Sequence, residues 1–365
     1  MTFAALAAAL AVAASGQELG LRADSGTAVY VNDDSVTVIS PWAHVTQRAV
    51  GPLSVGAGWK ADLISAASVD IVTAATRAYE ETRHEATAEI LLDWGAVRAE
   101  TSYTGSTERD TTTHRIAVSG AMDLLKKSLT LSVAYGLGLD RVGTSDEPES
   151  LWRDRSSHRL DLTATQVLGP STVASAAYTF EWLDGFLSSA YRRVPLFPLA
   201  QTQWQRSHAQ WVAERHPDTR GRNAVTLRVR QAFSPRLFVS GAYRLYADTW
   251  AMRSHLGEVF GGADLGAGVV VELGERVYWQ SRASFYRGVY TVDRDYITRD
   301  RRLSEILAST TTLRLSWHWR WLDLMLLGEL RWERFDDVSV LEAEALVPLD
   351  ATLGAVIEAG LEVSF

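Results

Sequence analysis

The sequence predicts an all-β chain that closes into a single antiparallel transmembrane β-barrel of about 16 strands. Three observations predict it. Apolar residues recur with a period of two, short connections alternate with long ones, and the last stretch is an amphipathic strand ending on an aromatic residue.

In chain order, Met1 to Gly16 reads MTFAALAAALAVAASG, an apolar, Ala-rich run with small residues at Ala14 and Gly16 before Gln17. It resembles an export signal cleaved near Gly16, although no Lys or Arg precedes the apolar run. The rest, 17–365, is expected to form one barrel domain.

Strand-like stretches recur at 26–32, 35–48, 53–63, 82–94, 96–106, 112–123, 128–141, 156–168, 171–184, 222–233, 236–250, 259–273, 276–288, 305–318, 322–335 and 352–365. Many reach the roughly 9–11 residues that cross a bilayer when tilted. Short turns are expected at Val50-Gly51-Pro52, Trp94-Gly95, Leu124–Lys127, Gly169-Pro170-Ser171, Ser234-Pro235-Arg236, Gly274-Glu275 and Trp319–Leu322. Longer polar connections fall between them at 64–81, 107–111, 142–155, 185–221, 289–304 and 336–351. Outer-membrane barrels have short periplasmic turns and long outer loops.

Facing follows from the period. Leu53, Val55, Ala57, Trp59 and Ala61 oppose Ser54, Gly56, Gly58, Lys60 and Asp62; Val225, Leu227 and Val229 oppose Thr226, Arg228 and Arg230. In the closing stretch Leu353, Ala355, Ile357, Ala359, Leu361, Val363 and Phe365 form one apolar set. Leu361, Val363 and the terminal Phe365 match the signal read by barrel-assembly machinery, a first expected partner.

Composition agrees. The chain is 47% hydrophobic, yet its mean hydropathy is only -0.05, as expected when lipid-facing and lumen-facing residues alternate. Its 13 Trp and 12 Tyr suit interfacial girdles. The absence of Cys excludes disulfides and thiol chemistry, and a net charge of -8 argues against a nucleic-acid partner.

The inward set from the C-terminal half comprises Arg228, Arg230, Arg244, Asp248, Arg282, Arg314, Glu329, Arg331, Glu333, Glu358 and Glu362. Two readings stay open: a structural ladder of ion pairs, or a constriction that selects solutes by charge. The connection 185–221 carries Tyr191, Arg192, Arg193, Trp204 and Trp211 and is too apolar for a loop in water. It is the candidate plug or gate, folding inward or capping the outer mouth; the other reading is a loop packed on itself.

Several stretches resemble a known family. These are Ala61-Asp62-Leu63-Ile64-Ser65-Ala66-Ala67-Ser68-Val69-Asp70 with Glu81 and Arg83; Gly185-Phe186-Leu187-Ser188-Ser189-Ala190-Tyr191-Arg192; His216-Pro217-Asp218-Thr219-Arg220; Tyr243-Arg244-Leu245-Tyr246-Ala247-Asp248-Thr249-Trp250 with Ser254-His255; and Gln280-Ser281-Arg282-Ala283-Ser284-Phe285-Tyr286. The family is that of predicted outer-membrane β-barrels of Gram-negative bacteria catalogued as domain of unknown function 3570. The resemblance implies a barrel in the bacterial outer membrane and no particular reaction. Within its motifs, Arg244, Tyr246, Asp248 and Trp250 share one strand face, as do Gln280, Arg282 and Tyr286. Two roles fit: a cluster that pins the 185–221 loop, or a solute-contact site.

No Ser/His or Asp/His catalytic arrangement is recognisable among the eight His, so no catalytic residues, no cofactor and no metal are assigned. His208, Glu214, His216 and Asp218 share the long loop but are most simply a solvated polar segment. The expectation is therefore a channel or export conduit for a polar solute, peptide or polymer. The alternatives are a non-conducting barrel that docks periplasmic or surface partner proteins and, behind it, a barrel enzyme with an outer-loop site. The lipid bilayer itself is the remaining partner.

Overall fold

The computed structural model describes residues 20–33, 36–66, 79–197, 210–342 and 345–364. Its wall is a closed ring of 16 antiparallel strands. In chain order these are β1 (Leu21–Asn32), β2 (Val36–Arg48), β3 (Leu53–Ala66), β4 (Tyr79–Asp93), β5 (Val97–Thr107), β6 (Thr111–Leu124), β7 (Leu129–Val142), β8 (Arg153–Gly169) and β9 (Thr172–Gly185). The ring continues through β12 (Thr219–Ala232), β13 (Leu237–Asp248), β14 (Arg253–Gly266), β15 (Val269–Gln280), β16 (Glu305–Trp319), β17 (Leu322–Asp336) and β20 (Ala351–Ser364). Two small hairpins stand outside it, β10 (Arg193–Leu196) with β11 (Gln210–Ala213), and β18 (Ser339–Glu342) with β19 (Ala345–Pro348).

The alternation read from the sequence explains the closure. Val225, Leu227, Val229, Leu313, Leu315, Leu324, Leu326, Leu353 and Ile357 point away from the lumen and remain exposed on the outside of the wall. Such a surface is stable only against hydrocarbon. In hydrocarbon an open sheet edge would leave backbone groups unpaired, so the sheet must join its ends. It does so between β1 and β20, with Asp24 opposite Glu362 and Val29 opposite Ile357.

The turns at one rim are short, and the connections at the other rim include all the long ones. One expected turn is corrected. Gly274-Glu275 lies in the middle of β15, and the chain reverses at Gly266-Ala267-Gly268, three consecutive residues with positive φ (86°, 51° and 79°). The stretches expected at 259–273 and 276–288 are therefore β14 and β15, displaced toward the N-terminus. Gly274 serves packing instead: a Cβ there would come within 2.2 Å of the Phe260 ring, which lies across it inside the lumen. Gly268 is bound to its turn twice over, by φ and by the His318 carbonyl that a Cβ would meet at 2.0 Å.

The shift also lengthens the next outer loop, which spans 281–304, and leaves a tight outer turn at 249–252. Arg282, expected on the inner wall, lies in that loop beyond the end of β15, and its guanidinium is 3.7 Å from Asp337 of the 337–350 connection.

Candidate functional site

The outer mouth is closed over β13 to β17 by two loops that fold together. In loop 281–304, Ala283, Tyr286 and Leu303 pack with Trp250 and Met252 of the tight turn and with Ile306, Ala308 and Phe335. The register turns Ile306, Ala308 and Phe335 into the lumen, so this core sits inside the barrel mouth. Loop 186–218 rides on it. Val194, Leu196 and Val212 of its hairpin join Tyr290 and Ile297 in a second apolar cluster, and Phe197 N donates to the Tyr290 carbonyl (2.8 Å). Gln280, at the end of β15, ties the lid to the wall by donating to the carbonyls of Arg302 (2.9 Å) and Ser304 (2.8 Å).

A buried ionic cluster locks the two loops. The Glu214 side chain is fully buried. It accepts from Ser189 N (2.9 Å) and Thr298 Oγ1 (2.6 Å) and faces Arg192 Nη1 at 3.3 Å. The same Arg192 nitrogen is 2.9 Å from Asp300 on the other loop, which also binds Arg302 at 2.6 Å. Burial pushes the Glu214 carboxyl up, but the His216 hydrogen bond and the Arg192 and His216 charges outweigh it and hold the group below the usual carboxylate range. Asp300 is likewise raised by burial and drawn well below that range by Arg192 and Arg302. His216 Nδ1 donates to the Leu187 carbonyl (2.9 Å), and its ring packs on Trp250 and Phe285.

Beneath the lid lies a cavity of about 790 Å³, lined by Arg155, Arg159, Glu181, Arg220, Arg222, Arg244, Tyr246, Asp300 and Arg302 among others. Several of these guanidiniums are held by carboxylates: Arg155 by Asp140 (2.7 Å), Arg159 by Asp161 (2.7 Å) and Arg222 by Glu181 (2.7 Å). Arg244 is exposed to the cavity and forms no ion pair among the described residues.

The lumen is polarised. Strands β8, β9, β12 and β13 turn Arg155, Arg159, Arg220, Arg222, Arg228, Arg230 and Arg244 inward against Asp161, Glu181 and Asp248. Strands β17, β20 and β1 to β4 turn in Asp24, Asp62, Glu85, Glu89, Asp93, Asp323, Glu329, Glu333, Glu358 and Glu362 against Arg22, Lys60, Arg83 and Arg331. In the ring, β9 and β12 lie across from β1 and β2, so a cationic wall faces an acidic one.

The structure places the remaining expected residues as follows. Arg228 faces Glu258 at 3.5 Å, Arg230 lies 3.9 Å over the Phe238 ring, and Arg314 meets Glu272 at 3.2 Å. Glu329 accepts from Thr312 (3.1 Å), Arg331 pairs with Glu333 and Arg22 with Glu362 (2.7 Å); Glu358 faces the lumen. Asp248 is paired with Arg220 and not with Arg244. Its Oδ2 accepts from Arg220 Nε (2.9 Å) and from the Tyr246 hydroxyl (2.7 Å), and its Oδ1 from the backbone N of Trp250 and Met252 (both 2.9 Å). That cluster fixes the tight turn, and Trp250 carries it to the lid through Phe285.

Of the loop residues, Tyr191 accepts from Ser145 N (2.8 Å), Arg192 is the clasp, Arg193 is exposed on β10, and Trp211 stands opposite Pro195. Trp204, His208 and Phe365 lie outside the described residues. Leu361 and Val363 stand on the outward register of β20, Leu361 half-buried and Val363 buried. Asp218 is exposed, apart from the Glu214–His216 pair. Sequence reasoning singled out Arg192, Glu214 and His216 but not Thr298, Asp300 or Arg220, although Arg220 belongs to the quoted HPDTR stretch.

Comparisons with known proteins agree with this fold. A structure titled "Bacterial polysaccharide outer membrane secretin" superposes with a TM-score of 0.56 at 10% identity, covering 96% of this chain and 99% of that one. CdiB from Acinetobacter baumannii superposes with a TM-score of 0.52 at 11% identity, covering 93% of this chain and 60% of that one. At such identities the likeness is one of fold, and the fold is that of the outer membrane. No curated protein matches the chain. A family model matches residues 11–322, and the chain belongs to the family described as Protein of unknown function (DUF3570).

Proposed function

We propose that the barrel is a gated outer-membrane conduit for a polar, negatively charged solute or polymer. The observation that carries the reading is the Arg-lined cavity directly beneath a lid whose two loops are joined by a buried ionic cluster. An anion entering that cavity meets Arg244, which forms no ion pair among the described residues, and the exposed faces of Arg159 and Arg302. The acidic wall opposite repels it, so a transverse field orients the solute across the lumen. Passage needs no bond made or broken. The likeness to a polysaccharide secretin suits a hydrated polymer as cargo.

The deciding measurement is single-channel conductance of the purified protein in a planar bilayer, with and without residues 186–216. The expected result is a small, anion-preferring conductance that widens on deletion. If neither form conducts, the conduit reading fails and the barrel is a docking scaffold filled by its own side chains.

A further inference from the structure

The outer face of the wall repeats one motif that the lumen does not explain. On four adjacent strand pairs a Tyr hydroxyl reaches diagonally to a polar side chain on the neighbouring strand. Tyr103 lies 2.7 Å from His114 Nδ1, Tyr135 2.7 Å from His158 Nδ1 and Tyr243 2.7 Å from His255 Nδ1, while Tyr178 donates to Asn223 Oδ1 at 2.7 Å. The geometry is the same each time: the polar residue stands opposite the residue two beyond the tyrosine, which is Gly105, Leu137, Leu245 or Phe180. Trp59 stacks on His84 along the same diagonal, ring centroids 6.2 Å apart.

All these side chains point away from the lumen and are exposed. The three hydrogen-bonded imidazoles sit ten or eleven residues from the short-turn ends of their strands, Leu124, Gly169 and Gly266. With a rise of about 3.3 Å per residue and a tilt near 40°, that is roughly 25 Å above the turns, where the hydrocarbon band ends on the loop side.

Each Tyr–His pair joined through Nδ1 has one donor left over, the imidazole Nε2–H where the phenol donates or the phenol O–H where the imidazole does. Asn223 reproduces this arrangement with different atoms, its oxygen accepting from Tyr178 and its NH2 left to project. Packing alone would be served as well by Phe. What the four sites share is a side-chain pair with one hydrogen-bond donor to spare at headgroup level. Two residues farther out on the same face, Arg253 lies beyond His255 and adds positive charge there, while Arg141, beyond Leu139, is 3.8 Å from Asp154.

We propose that these tyrosine-anchored donors form a belt of binding sites for the phosphoryl groups of lipid headgroups in the loop-side leaflet. The inference rests on the outer surface alone and stands whether or not the lumen conducts.

The test compares wild type, H114F/H158F/H255F and H114N/H158N/H255N. Each is purified in a non-ionic detergent and titrated with phosphatidic acid or with diacylglycerol of the same chains; retained lipids are counted by native mass spectrometry. Phosphatidic acid should be retained by wild type and by the Asn variant, and at least threefold less by the Phe variant. Diacylglycerol should be retained poorly by all three. Millimolar inorganic phosphate should not displace the lipid; if it does, the sites bind free phosphate and the headgroup assignment is wrong. Equal retention by the Phe variant and wild type, or of both lipids, overturns the proposal. Heat-modifiable gel mobility reports folding. If the triple variant is unfolded, H158F alone against H158N gives the same comparison.

Discussion

Arg192 binds two buried carboxylates from different loops through one nitrogen, 3.3 Å from Glu214 and 2.9 Å from Asp300. The two acids are 86 residues apart in sequence and meet only because one guanidinium offsets both. Removing one partner of a buried ion pair strands the other, at a cost of ~3–5 kcal/mol. R192A should therefore detach the lid from itself while leaving the wall intact. The expected result is a larger or longer-lived open conductance with unchanged heat-modifiable mobility. R193A, altering the exposed neighbour, should match wild type. A closed R192A channel would show that the clasp does not hold the lid.

The same cluster sets an acid limit. Glu214 and Asp300 both have carboxyls depressed in the folded protein. A depressed group binds fewer protons folded than unfolded, so its stabilisation is present above the ordinary carboxylate value and is lost as pH falls through the lower folded value. The groups facing it are Arg192, Arg302 and His216, of which the two arginines stay charged throughout. Conductance should hold steady from pH 7 to about 5 and rise only below about pH 4. A lid that opens already between pH 7 and 5 would point to a different titrating group.

The Asp248 cluster is predicted to be structural. Its side chain is fully buried and accepts from Arg220, Tyr246 and two backbone amides. D248A should lower the unfolding temperature and loosen the lid together, because Trp250 hangs from the turn that Asp248 fixes. The loss should be on the order of 3–5 kcal/mol, measured by denaturant titration in detergent. Loss of conductance with full stability would instead assign Asp248 to the solute.

Selectivity should follow the two walls. R244E removes the unpaired guanidinium and should shift the reversal potential in a salt gradient toward cations. E358R, on the opposite wall, should shift it toward anions. Neither side chain holds an ion pair among the described residues, so both variants should fold normally. Shifts of the same sign would contradict a polarised lumen.

Gly274 offers a check on the corrected turn. A Cβ there meets the Phe260 ring at 2.2 Å, so G274A should cost about 1–3 kcal/mol. F260L should restore most of that loss in the double variant. If Gly274 were a turn residue, Phe260 would make no difference.

That position also shows how far the sequence could be read. Alternation gave the strands and their facing because it is local: Val225, Leu227 and Val229 face lipid as their spacing says. Gly274-Glu275 misled because a glycine beneath an aromatic ring and a glycine in a turn are alike until the partner strand is known. Arg192 was visible as a polar residue in an apolar loop. Its partners were not, since Glu214 and Asp300 meet across two loops whose register no local pattern encodes. The Tyr–His diagonals were hidden for the same reason, each requiring the pairing of two strands.

The join between β1 and β20 has a kinetic meaning. Arg22 and Glu362, 340 residues apart, touch across it. The last pairing to become available is thus the one that completes the ring, and no intermediate short of the full chain can satisfy both edges. Contacts of such long sequence separation form slowly. Until they form, two unpaired edges remain able to recruit strands from other chains. The time between synthesis of β1 and arrival of β20 is therefore the interval in which this protein is most prone to aggregate, and an assembly factor that shields the first edge would act in that interval.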